Sequence, residues 1–164
     1  MVRQGIQPQD VQSSALHHLA YEAAMLVASE SRAAAEADVV KKNALIESIA
    51  LHARNLFEFL CDTDNRDGAM RLEAFGIQPA ALEKELRDRL GRLYGYASTR
   101  VAHLSWKRLE TNPGVPTEDL ALMIDLFLDF MASVKHIPLG SEAQDMLDVV
   151  RQWRRSAGAA VLRR

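Results

Sequence analysis

An all-α bundle of about five helices is the fold class this sequence predicts, and three observations predict it. Apolar residues recur at steps of three and four through most of the chain. No segment alternates apolar and polar residues as a half-buried strand does, and loop signals divide the chain into helix-sized pieces. At 164 residues the chain suits one domain, residues 1–164, with flexible ends at 1–12 and 157–164. Such a chain buries roughly 70% of its unfolded surface. A composition of 48% hydrophobic and 26% charged residues is that of a globular protein.

The first helix is expected to start near Asp10 or at Ser13-Ser14, both good N-caps, and carries Leu16, Leu19, Ala23, Leu26 and Val27 at helical spacing. Residues 30–36 extend it as an exposed, alanine-rich stretch. After a break near Ala37-Asp38, the second helix aligns Leu45, Ile49, Ala53, Leu56 and Leu60 on one flank, with Phe57 widening it. On this wheel His52 sits at the edge of the apolar stripe, Ser48 and Asn55 just beyond it, and Arg54 well round toward solvent.

Residues 61–79 form the longest interruption. Asp62-Thr63-Asp64-Asn65-Arg66-Asp67-Gly68, with Glu73 further on, has the outline of a calcium loop. Arg66 takes a ligand position, however, and the glycine comes one residue late, so it reads as an acidic turn. Pro79 then opens a long helix to about Glu110, through Leu82, Leu86, Leu90, Leu93, Ala97, Val101 and Leu104, with a bend allowed at Gly91 and Gly95. Here Arg100, His103 and Lys107 share one flank of the apolar stripe, and Arg108 lies on the stripe itself, where Asp125 or Asp129 could pair with it. Asn112-Pro113-Gly114-Val115-Pro116 is a loop, and Thr117 caps the fourth helix. Residues 120–134 are apolar almost all round except at Asp125 and Asp129, as befits a helix central in the bundle or covered by a partner subunit. Pro138-Leu139-Gly140 ends it. Ser141 with Gln144 suggests a capping box for the last helix, which carries Leu147, Val150 and Trp153 and ends in a basic, solvated tail.

Several function classes are disfavoured. A formal net charge of −2 provides no global field toward nucleic acid or anionic lipid. Cys61 is the only cysteine, so an internal disulfide and a cysteine-based zinc site are both impossible; it is expected as a small buried hydrophobe. The first residues lack the apolar run of a signal peptide and the most apolar window is too short to span a bilayer, so the expected setting is cytoplasmic. Neither Glu-x-x-His nor His-x-x-x-His occurs, and no metal or cofactor is expected. Gly-x-Ser-x-Gly and phosphate-cradling glycine loops are missing as well.

Acid–base chemistry built on His, Arg and Asn remains. His52 with Arg54 and Asn55 on the second helix is one half of such a constellation, and Arg100 with His103 on the third is the other, with Lys107 and Arg108 as further binding candidates. The competing reading of the same residues is an interhelical hydrogen-bond network, Asn55 sharing its bonds with His52 one turn away.

His52-Ala53-Arg54-Asn55-Leu56, Val101-Ala102-His103-Leu104-Ser105 and Tyr21-Glu22-Ala23-Ala24-Met25-Leu26 together resemble a group of small, uncharacterised bacterial helical proteins. More distantly the chain resembles HEPN domains over roughly residues 15–110. That resemblance implies an up-and-down helical bundle, a homodimer, and RNA or another phosphate-bearing ligand, since many HEPN members are metal-independent ribonucleases. On this reading His103, Arg100 and His52 are catalytic, and Arg54, Asn55, Lys107 and Arg108 bind. The family's arginine four to six residues before its histidine has no counterpart, because Arg100 stands only three before His103. The alternative expectation is a non-catalytic interaction or oligomerisation module whose His/Arg clusters are structural.

Overall fold

A computed structural model describes residues 6–61, 69–77, 88, 90–92, 94–95 and 117–161, and the described residues contain helices and turns but no strand. Four α-helices, α1 (Gln9–Ala35), α2 (Val39–Leu60), α3 (Thr117–Ser133) and α4 (Ser141–Val161), frame the bundle, with a one-turn 3-10 helix at Leu72–Phe75. The described positions between 88 and 95 are helical too. The rest of the long helix expected from Pro79 to Glu110, and the acidic turn at 62–68, lie outside the described residues.

α1 begins beside Asp10, the earlier of the two expected starts, rather than at Ser13-Ser14. Pro8 precedes it without a side-chain cap, and the Pro8 carbonyl accepts the Gln12 N–H at 3.0 Å. Proline needs no partner for its missing N–H and enters a helix at little cost. Residues 9–12 are part of this helix. Gln12 is buried, its amide donating to the Ala74 carbonyl at 2.8 Å. The α1–α2 turn is three residues long. Asp38 Oδ1 accepts the N–H groups of Val40 and Lys41 at 2.9 and 3.0 Å, satisfying two of the donors a helix start leaves open. So short a turn makes α1 and α2 antiparallel.

Bonds across the bundle give the other directions. Ser13 reaches Pro138, His17 reaches Glu142 and Trp153 reaches Glu30, so α4 runs parallel to α1. Arg154 reaches Asp125, so α3 is antiparallel to α4. The core lies between these helices: Leu16, Leu26, Leu56, Leu90, Leu120, Met123, Ile124, Phe127, Leu147 and Val150 are all fully buried. Each side chain of this size contributes about 1.5–3 kcal/mol on burial.

α3 is central. Eight of its residues and of the turn after it, from Leu120 to Val134, are in the core, and Leu122, Leu126 and Leu128 pack against it. Its apolar circumference is covered from within the chain, and no partner subunit is needed to explain it.

Three further expectations change. The stretch after α2 is not merely a turn, because Leu72, Ala74 and Phe75 of the 3-10 helix are buried in the core and Gly76 closes it at φ 73°, a left-handed conformation suited to glycine. The Ser141–Gln144 capping box is not formed, since the Gln144 side chain turns forward to Asp148 at 3.3 Å. The basic tail is helical as far as Val161, and Arg154 grips both Asp125 oxygens at 2.6 and 2.8 Å. That pair engages Asp125, one of the two carboxylates, with Asp129, that could pair with Arg108; Arg108 lies outside the described residues. Cys61, at the end of α2, is half-buried against the core. Among the described residues, no helix is long and apolar enough to cross a membrane.

Candidate functional site

α2 turns its His52 and Asn55 side chains toward α1 because both positions flank the apolar stripe that Ile49, Ala53 and Leu56 bury. One carboxylate receives both. His52 Nδ1–H donates to Glu22 Oε2 at 2.7 Å, and Asn55 Nδ2–H donates to the same oxygen at 3.0 Å. The Tyr21 ring meets the His52 ring edge-on, with centroids 5.8 Å apart. One turn and a half further along the same seam, Ser29 and Ser48 share a hydrogen bond of 2.9 Å.

The His52 side chain is only 9% exposed and that of Glu22 22%. Burial alone would raise the Glu22 carboxyl. The bonds from His52 and Asn55, with the positive charge of His52 and of nearby His18, outweigh it and hold the carboxyl below its ordinary value of 4.5. The second ring nitrogen of His52, Nε2, makes no hydrogen bond to any described residue. When the imidazole is neutral, a carboxylate on Nδ1 fixes the tautomer in which Nε2 is the basic nitrogen, the arrangement of an oriented acid–base histidine.

Arg54 does not join this cluster. It points to the other flank of α2, where its Nε–H donates to Glu58 Oε1 at 2.8 Å, and its guanidinium lies 5.8 Å from the centre of the Tyr94 ring. The Tyr94 hydroxyl donates to the same Glu58 oxygen at 3.4 Å, and its ring packs on Phe57. Arg54 was expected well round toward solvent; the helical segment carrying Tyr94 covers that flank and leaves it half-buried.

Of the residues singled out from sequence, His52 and Asn55 come together and Arg54 turns away. Arg100, His103, Lys107 and Arg108 lie outside the described residues. Sequence reasoning did not assign Glu22, Glu58 or Tyr94. Glu58 was accessible to it, since an acid four residues after an arginine on a helix is a standard ion pair. Glu22 was not, because only the tertiary pairing of α1 with α2 brings it across 30 residues to His52. Among the other described histidines, His17 donates to Glu142 at 3.2 Å, His18 is exposed and acts on Glu22 only through its charge, and His136 is exposed. Among the described residues, no group of three or more His, Cys, Asp or Glu side chains could hold a metal ion.

No protein-family profile matches the chain, and neither the curated proteins nor the solved structures include a match to it.

Proposed function

We propose that the protein is a non-catalytic helical interaction module in which the Glu22–His52–Asn55 network locks α1 to α2. One observation carries this reading: each described charged group of the predicted cluster is already engaged by a carboxylate of its own chain. Glu22 holds His52, and Glu58 holds Arg54. Phosphate recognition draws on cations that are free to replace counterions, and an arginine already neutralised and laid along an aromatic ring supplies little of that. The surface left for a partner includes Tyr21, Val40 and Leu51, three exposed apolar side chains of α1 and α2.

A second reading rests on one nitrogen. His52 Nε2 belongs to a side chain only 9% exposed, bonds to no described residue, and is set opposite a carboxylate-held Nδ1. Buried polar atoms of that kind call for an explanation, and acid–base work is one. In this reading the bundle is HEPN-like and homodimeric, with His103 and Arg100 supplying the rest of a metal-independent ribonuclease.

His52→Ala and His52→Gln separate the two. The module predicts that both variants melt earlier, by about 2–4 °C for each of the roughly 1–3 kcal/mol a broken buried network costs. It also predicts that wild type neither binds nor cleaves a short single-stranded RNA in chelator. RNA cleavage by wild type that His52→Gln abolishes at unchanged helicity overturns the module and installs the second reading.

A further inference from the structure

Away from the Glu22 network, a wedge of about 250 Å³ opens between the end of α3, the connection after it and the first turns of α4. Its walls are Met131, Val134, Ile137 and Leu147, and Leu16 of α1 lines it as well. Two cations line it, Lys135 and Arg151, and no carboxylate does. Lys135 is exposed and bonds to no described residue. Arg151 spends one Nη1–H on Asp148 at 2.9 Å, and its other N–H groups bond to no described residue.

The backbone acceptors around the wedge are largely spoken for. The Pro138 carbonyl takes the Ser13 hydroxyl at 2.7 Å, that of Val134 takes the Ile137 N–H at 2.9 Å, and that of Gly140 takes the Gln144 N–H at 3.1 Å. The negative end of α3 lies close by. Its Phe130 carbonyl is met by both the Val134 N–H and the Ser133 hydroxyl, and one helix end amounts to about half a charge against Lys135 and an Arg151 whose exposed Asp148 pair leaves most of its N–H groups open.

We infer that this wedge binds a small carboxylate with a short apolar tail, its head between Lys135 and Arg151 and its tail against Leu16, Met131 and Leu147. The size sets the class. The wedge is smaller than the roughly 300–1,000 Å³ of drug-sized pockets, so a nucleotide is too large and a tail of about four to six carbons is the limit. Cationic donors select an anion over an alcohol, and the apolar walls select a tail over a bare inorganic ion.

The test is an amide-shift titration of the ¹⁵N-labelled full chain with hexanoate, using hexanol as the tail alone and inorganic phosphate as the head alone. Hexanoate should saturate, with shifts centred on Lys135, Ile137, Leu147 and Arg151, and both control probes should bind at least about tenfold more weakly. Lys135→Gln and Arg151→Gln should each weaken hexanoate about tenfold, since each removes one charge-assisted bond. Both positions are exposed or rim the wedge, so the variants should keep the wild-type spectrum elsewhere. Absence of saturation below about 10 mM, equal binding of hexanol, or variants that bind like wild type would overturn the site. Phosphate binding as tightly as hexanoate would replace the class with a simple anion and overturn the tail. None of these outcomes depends on His52 or its network.

Discussion

Where α1 meets α2, two side chains share one half-buried carboxylate, and a serine pair repeats the polar contact further along. Around α3, by contrast, Phe59, Phe75 and Phe130 pack edge to face, with centroids 5.0–6.0 Å apart. The two regions contribute different things. Aromatic packing is large in energy and tolerant of small slides, because dispersion and burial depend weakly on direction. A shared hydrogen-bond acceptor is modest in net energy but directional, so it favours one register of α2 on α1 over its neighbours. The aromatic region therefore dominates stability, and the seam dominates specificity of helix pairing.

The largest effect should come from breaking the aromatic side. Phe130→Ala removes a ring that touches both Phe59 and Phe75 and should cost about 3–5 kcal/mol, read as a shift in the urea midpoint at constant slope. A loss below about 1 kcal/mol would mean the three rings are not the anchor the geometry describes. His52→Ala should cost less, about 1–3 kcal/mol. A double-mutant cycle with Glu22→Gln should return a coupling of about 0.5–3 kcal/mol, whereas additive losses would show that the two groups act independently.

Acid sharpens the comparison further. The Glu22 carboxyl is held below 4.5 in the folded chain, so its contribution is present above that value and is lost as pH falls through it toward the folded value. Wild type should therefore lose stability below about pH 4.5 more steeply than Glu22→Gln, as followed by thermal melts between pH 3 and 6. Parallel curves would remove Glu22 from the acid response. The smallest effect belongs to Arg154→Ala. Its bond to Asp125 is bidentate, but the Arg154 side chain is 31% exposed and that of Asp125 44%, so solvent screening limits the loss to about 0.2–1 kcal/mol.

Legibility in the sequence followed the same division. The all-α class, the α2 stripe and the apolar ring of α3 could be read because periodic burial leaves a periodic record. The 3-10 helix could not: one turn is too short to show a period, and Leu72 and Phe75 look like any apolar pair in a loop. Asp38 and Thr117 marked helix starts correctly, to within a residue. Ser141 with Gln144 misled, because the glutamine had a competing partner one turn ahead in Asp148. For the site, the His52–Asn55 spacing was visible, but the group that unites them was not. Glu22 lies on a different helix, and a single sequence carries no record of which acid faces which histidine. Trp153 was read only as an apolar anchor, while its indole N–H also binds Glu30 at 2.9 Å.

The parallel pairing of α1 with α4 has a consequence for how the chain comes off the ribosome. Ser13 and His17 each find their partners 125 residues later, in Pro138 and Glu142. At about 5–20 residues per second, α1 waits roughly 6–25 s after its own synthesis before α4 exists. During that interval α2 can cover one flank of α1, through local contacts that form early, but the flank meant for α4 stays open to water. The nascent protein thus passes through a stage in which its first hairpin is built and half sheltered, a natural point for a chaperone to hold it.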